Sequence, residues 1–187
     1  MINHLQKSLV DTNIGIAYIY CNYKEAGQQS LTNLIASLVH QLVRRDSVLA
    51  SDLASLYESH ITKDTRPSRD EYAQLLQIAA ASFTKVFIII DALDECVEND
   101  GTRQDLLEEL RKLQLKACLL VTSRDLPSIQ RQLRSATRLE IQASDDDIMT
   151  YLCERISSSE KISMYVKRDP GLHEVIVKTI TGKARGM

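Results

Sequence analysis

The segment KVFIIIDALDEC, Lys85–Cys96, gives the strongest indication of the fold of this 187-residue chain. Five consecutive apolar residues, VFIII, are followed at once by Asp91, and two more acids, Asp94 and Glu95, follow within one turn. A β-branched and aromatic run of this kind is typical of a strand buried on both faces, as in a parallel sheet. Carboxylates at the carboxyl end of such a strand lie where open α/β sheets bind ligands.

The three acids form a pattern that suits a metal ion and a water molecule. A first Asp that holds the metal, with later acids that position or activate water, is the Walker B arrangement of nucleoside triphosphatases. We expect Asp91 to hold Mg²⁺, because Mg²⁺ takes few carboxylates and keeps several waters. Asp94 or Glu95 would orient the attacking water, and the residues alone do not choose between them. The alternative is a core strand that runs into a solvated turn.

A second strand end carries polar residues that suit a phosphate group. The apolar run Ala117–Val121, ACLLV, predicts a short buried strand, and Thr122, Ser123 and Arg124 follow it. Neighbouring parallel strands would bring this end and the acids to one edge of the sheet. Any of the three residues could sense a γ-phosphate, and the arginine would stabilise its developing charge. The alternative is a polar turn with a surface arginine.

Strands alternate with helices along the chain, which predicts an α/β fold with a parallel sheet. The predicted strands are Ile14–Tyr20, the strand before Asp91, Ala117–Val121 and a less buried Thr137–Ile141. Apolar residues at helical spacing predict the intervening helices. Ser68 with Glu71 forms a capping box, Thr102 with Asp105 resembles another cap, and Ser144 with the acids after it predicts a third.

Composition restricts the partners of the chain. The net charge of −2 gives no electrostatic reason to expect nucleic acid or an anionic membrane. No apolar stretch approaches the roughly 18–20 residues of a membrane span, and the first residues lack a signal-peptide hydrophobic region. The four cysteines form no CxxC pair and no zinc-ligand spacing with histidine, so we expect reduced, mostly buried thiols and a cytoplasmic location.

The segment FIIIDALDEC, followed further along by LLVTSR, resembles the NACHT module of signal-transduction NTPases. The likeness is greatest to the fungal, nephrocystin-type branch, found in NOD-like receptors fused to ankyrin or WD repeats. IAYIYCNYKEAGQQSLTNLIASLVHQLV at residues 16–43 resembles that family's second strand and the helix after it. LEIQASDDDIMTYLCERI at residues 139–156 resembles its segment after sensor 1.

The resemblance implies a P-loop NTPase-like fold, a three-layer parallel sheet flanked by helices. Asp91 would be the Walker B magnesium aspartate, Asp94 and Glu95 the downstream acids, and Arg124 the sensor 1 arginine. Residues 1–143 would form the sheet core and residues 144–187 the start of the following helical region. The complete protein would bind ATP or GTP with Mg²⁺ as a conformational switch, with its own repeat domains or other copies of itself as partners.

One element of the family is absent from the sequence. A P-loop needs GxxxxGK[ST], and the only Gly-Lys pair, Gly182-Lys183, is followed by Ala184 and has Val177 where the first glycine belongs. The resemblance therefore implies an internal piece, a truncated product or gene-model fragment without the P-loop strand. We expect it to hydrolyse little or no nucleotide alone, and to be poorly stable because inner strands would lack partners.

Two other functions are compatible with the residues. A non-enzymatic interaction module would keep the fold as a scaffold, with the acids as remnants. A receiver-like domain would be phosphorylated on Asp91, but receivers need another acidic cluster after their first strand, and Glu25 is the single acid there.

Overall fold

The computed structural model describes residues 2–9, 13–44, 47–96, 98, 100–113 and 117–184. The chain divides into two compact units, Met1–Arg134 and Ser135–Met187. The predicted border at residue 143 stays a prediction. The first unit holds the sheet and the second consists of helices, so each is described by itself.

The first unit is built on a parallel sheet whose strands are β1 (Ile14–Tyr20), β2 (Lys85–Asp91) and β3 (Ala117–Val121). The order is β1-β2-β3, with Tyr20 opposite Asp91 and Ile90 opposite Val121. Four of the five apolar side chains of β2 are buried and Phe87 is half-buried, because the strand lies between two strands and under helices. The predicted α/β class, a parallel sheet flanked by helices consistent with a P-loop NTPase-like fold, is confirmed.

Helices surround this sheet in the first unit. They are α1 (Ile2–Ser8), α2 (Leu31–Val43), α3 (Ser47–Ile61), α4 (Arg69–Ser82), α5 (Thr102–Lys112) and α6 (Pro127–Gln132). The central helix α2 packs against β1, α3, α4 and α5. Its apolar stripe is buried, as helical spacing predicts. The close approach of α2 to β1 needs Gly15, because a Cβ there would lie 2.9 Å from Cδ2 of Leu42.

The N-cap of α4 is the one predicted from the sequence, whereas the N-cap of α5 is a different residue. Ser68 and Glu71 form the complete capping box that precedes α4. The predicted cap from Thr102 and Asp105 is wrong, because Gly101 in the left-handed region is the N-cap of α5. Asp100 supplies the side-chain contact instead, since its Oδ1 accepts a hydrogen bond from the backbone N–H of Thr102 at 2.9 Å.

Strand β3 forms where it was predicted, but its predicted burial is wrong. Leu119 is 39% exposed and Leu120 is 45% exposed. An apolar run indicates a strand, whereas burial depends on what covers it. Within the part of the chain that the structure describes, β3 is at the edge of the sheet and pairs with β2 alone.

The second unit contains α7 (Asp145–Ser158), α8 (Glu160–Arg168) and α9 (Gly171–Ala184), which pack against one another. A capping box from Ser144 to Asp147 starts α7, as predicted. The predicted strand Thr137–Ile141 is wrong, since this segment is irregular and Leu139 is 81% exposed. Alternating residues make a strand only where a neighbouring strand offers hydrogen bonds.

No helix in the described ranges is both long enough and apolar enough to cross a membrane.

Candidate functional site

The carboxyl ends of the three strands converge at one edge of the sheet. Strand β2 ends at Asp91, and Ala92 follows in the left-handed region with φ 54°. A short 3₁₀ turn, Leu93–Glu95, then carries the other two acids and is held by the fully buried Leu93. A non-glycine residue in this conformation persists because its surroundings hold it, a feature that clusters at functional sites.

Thr122 joins the end of β3 to the start of this turn. Its hydroxyl donates to Oδ1 of Asp91 and accepts from the backbone N–H of Ala92 at 2.9 Å. Its carbonyl accepts from the N–H of Leu93 at 2.9 Å, and its own N–H donates to the carbonyl of Ile90 at 2.9 Å. The two predicted halves, the acids and the TSR segment, are therefore in direct contact.

Arg124 and Asp94 form the second link across the same edge. The backbone N–H of Arg124 donates to Oδ1 of Asp94 at 3.1 Å, and its Nε donates to Oδ2. The Asp94 side chain is 4% exposed, whereas that of Arg124 is 77% exposed. Burial alone raises the pKa of Asp94, but the hydrogen bonds from Arg124 outweigh it and leave this pKa below its ordinary value. Asp94 is therefore an ionised carboxylate engaged by Arg124.

Glu95 and Ser123 have different surroundings from the other predicted residues. Oε2 of Glu95 accepts a hydrogen bond from the backbone N–H of Tyr23 at 3.3 Å, which connects the turn to the chain after β1. The Ser123 hydroxyl donates to the carbonyl of Arg124 rather than to one of the three acids. The side chains that come together are those of Asp91, Asp94, Glu95, Thr122 and Arg124. The Ser123 hydroxyl instead bonds the backbone carbonyl of the next residue.

The segment after β1 also reaches this edge, although the sequence analysis did not predict it. Cys21 donates its N–H to the carbonyl of Asp91 at 3.0 Å, and Tyr23 contacts Glu95 as described. Asn22 caps the short turn Tyr23–Glu25. The signal was present, because a third parallel strand ending at Tyr20 must bring the residues after it to the same edge.

Two side chains at this edge, those of Asp91 and Thr122, carry oxygen atoms that could bind Mg²⁺. Among the side chains that the structure describes, no group of three or more His, Cys, Asp or Glu could hold a metal ion. Asp91 beside the Thr122 hydroxyl offers oxygen ligands of the kind Mg²⁺ prefers, with most of its shell left to water and phosphate oxygens. Asp91 and Thr122 are therefore the residues that could hold a Mg²⁺ ion at this edge.

The chain is similar to known proteins over the region that contains this edge. The model of the family described as "Nephrocystin 3, N-terminal" matches residues 1–124, more than half of the chain and all of the candidate site. The vegetative incompatibility protein HET-E-1 of Podospora anserina is 26% identical over 159 residues, covering 80% of this chain. The chain spans 11% of the length of that relative. No solved structure matches. The chain therefore belongs to the nephrocystin-3 N-terminal family, which confirms its resemblance to the nephrocystin-type branch of the NACHT modules.

Proposed function

We propose that this region of a NACHT-type signalling protein supplies the metal-binding and water-binding side of a nucleoside triphosphate site. The observation that carries the proposal is the contact between Asp91 and Thr122, which joins the two strand ends most suited to Mg²⁺ and phosphate. Such a site would bind ATP or GTP with Mg²⁺ and act as a conformational switch in the complete protein.

In this proposal Asp91 holds Mg²⁺, because it is the last residue of β2 and has a hydroxyl beside it. Glu95 is the better candidate to orient water, since both oxygens of Asp94 accept hydrogen bonds from Arg124. Asp94 instead positions the arginine. Arg124, with its exposed guanidinium, would meet the phosphate charge at this edge.

The proposal is tested by the binding of Mn²⁺, a paramagnetic substitute for Mg²⁺, together with ATP or GTP. We expect nucleotide-dependent broadening of the NMR signals of residues 91–95 and 122–124. We expect affinity in the millimolar range, because the 187 residues contain no GxxxxGK[ST] to hold the phosphates. Micromolar affinity would show that the missing loop is not needed.

The matched variants are Asp91→Asn and Asp70→Asn. Asparagine at 91 keeps an acceptor for Thr122 but loses the charge, so metal affinity should fall by about tenfold or more. Asp70 has a side chain 80% exposed on α4, outside the strand-end cluster, and its substitution should change nothing. Equal binding by the Asp91→Asn variant and the unsubstituted chain rejects the proposal.

A second candidate function is an interaction scaffold without nucleotide chemistry. The observation that favours it is the exposure of Leu119 and Leu120 on β3. Binding of a purified domain or second copy of the parent protein, unchanged by nucleotide and by Asp91→Ala, supports the scaffold. Binding that depends on both supports the nucleotide site.

A further inference from the structure

One buried arginine in the first unit has an incomplete set of partners. Arg103, near the start of α5, is 1% exposed and is the largest of the fully buried side chains that the structure describes. Its Nη2 forms an ion pair with Oε1 of Glu98 and donates a hydrogen bond to Oγ of Ser128 at 3.1 Å. Its Nε is buried and has no hydrogen-bond partner. The proposed nucleotide chemistry does not use this arginine.

The unpaired Nε matters because of the shape of the guanidinium group. Its Nε–H and one N–H of Nη2 point in the same direction, so together they bind two oxygens of one carboxylate or phosphate. In Arg103 the Nη2 donor of this fork is paired and the Nε donor is not. A buried cation with an unpaired donor is costly, because it has lost water without full compensation. A second anionic oxygen at Nε would remove this cost.

The two partners of Nη2 both reach solvent. The side chain of Glu98 is 57% exposed, and Ser128 is half-buried in α6. The Ser128 hydroxyl is neutral, so Glu98 supplies the negative charge of this cluster. Ser128 therefore offers a hydroxyl that is partly open to solvent and within hydrogen-bond distance of a buried cation.

We propose that Ser128 is a phosphorylation site, at which the phosphate binds Arg103 through Nε and Nη2 in place of Glu98. In the reaction a base of a protein kinase takes the hydroxyl proton, and Oγ attacks the γ-phosphorus of ATP. The bond from that phosphorus to the β–γ bridging oxygen breaks, and ADP leaves. The phosphate carries a charge of about −1.5 to −2 and three acceptor oxygens, so it competes effectively with the single carboxylate of Glu98.

The exchange would alter the segments that follow both strand ends of the candidate site. Glu98 lies between the acidic turn and α5, where its carbonyl accepts from the N–H of Gly101 at 3.1 Å. Ser128 comes four residues after Arg124. Phosphorylation would release the Glu98 side chain and join α6 more firmly to α5. This inference goes beyond the proposed nucleotide site and does not rest on it.

The test installs phosphoserine at position 128 by genetic code expansion and measures the Tm with and without Glu98→Gln. In the unmodified chain Glu98→Gln should lower the Tm by about 2 °C or more, because Arg103 loses its carboxylate partner. In the phosphorylated chain the same substitution should lower the Tm by less than half as much, because the phosphate has replaced Glu98. Glu108→Gln, at an exposed position of α5, is the matched control and should have the same effect in both chains.

Phosphorus NMR provides a direct readout of the same contact. A paired guanidinium favours the dianion, so the second pKa of the phosphate at position 128 should lie below that of phosphoserine at position 55. Ser55 is an exposed residue of α3.

Three results would overturn the proposal. One is an equal effect of Glu98→Gln on the Tm of the modified and unmodified chains. The second is an equal phosphate pKa at positions 128 and 55, and the third is a phosphorylated chain that does not fold. Nucleotide binding affects none of these measurements.

Discussion

At the scale of single residues, hydrogen bonds lower the pKa of two carboxyl groups, those of Asp94 and Glu71. Asp94 is buried yet stays ionised because Arg124 donates to both of its oxygens. Glu71 accepts from the N–H of Ser68 at 2.7 Å, from its hydroxyl at 2.8 Å and from Nε2 of His60 at 3.0 Å. These contacts, led by that of the Ser68 backbone, lower the pKa of Glu71 to about 2.

The low pKa of Glu71 predicts a contribution to acid stability. A carboxylate with a lowered pKa in the folded state stabilises fully above the unfolded pKa, about 4.3 for Glu, and this contribution is lost as the pH falls towards 2. Glu71→Gln should therefore make the free energy of unfolding less dependent on pH between about 4.3 and 2. Urea unfolding at a series of pH values measures this slope.

The control for this prediction is Glu58→Gln, on an exposed position of α3. It should leave the slope of the unsubstituted chain unchanged. Equal slopes for Glu71→Gln and the unsubstituted chain would mean that the capping-box carboxylate has no lowered pKa.

At the scale of elements, the packing of α2 on β1 determines how closely helix and sheet approach. Gly15 lies in β1, and a Cβ at this position would meet Cδ2 of Leu42 at 2.9 Å and Cδ2 of Phe83 at 3.0 Å. Leu42 is fully buried and Phe83 is 5% exposed. Neither side chain has open space into which to move, so the missing Cβ of glycine is a packing requirement.

Gly15→Ala should lower the free energy of unfolding by about 1–3 kcal/mol, the usual cost of overpacking a core. Gly27→Ala is the matched control, because a Cβ there has no neighbour within 4 Å. It should change stability by less than about 1 kcal/mol. Urea denaturation of both variants measures the difference, and equal stabilities would show that α2 moves away from β1 at little cost.

At the scale of the whole molecule, the most unusual feature of the first unit is its exposed β3 edge. Leu119 and Leu120 lie on opposite faces of β3, and both are more than a third exposed. An exposed apolar edge strand is a site for pairing with another chain, which natural proteins oppose with charged residues.

This edge predicts concentration-dependent self-association of the chain. Leu120→Lys should reduce the association, because a charge on the edge strand opposes strand pairing. Ile61→Lys, at a position 73% exposed near the end of α3, is the control and should leave association unchanged. Sedimentation velocity at several protein concentrations measures the association of the two variants. An equal effect of both substitutions would show that the chain does not associate through β3.

Sequence patterns were sufficient to predict the three parallel strands, the helices between most of them and the meeting of DALDE with TSR at one edge. These features depend on periodicity, turn chemistry and the common direction of parallel strands, which are local or follow from the chain order. The helix α8 and the cap at Gly101 were not predicted. A glycine N-cap has no side chain to indicate the start of α5, whereas Ser159, which caps α8, was a signal in the sequence that was not used.

The contacts that those residues make could be seen only in the folded structure. It left β3 exposed and Thr137–Ile141 irregular, because burial and strand formation depend on partners that lie far away along the chain. It also paired Arg124 with Asp94, and Tyr23 with Glu95, across separations of 30 and 72 residues. Contacts over such distances are set by strand register and packing, and no local pattern in the sequence records them.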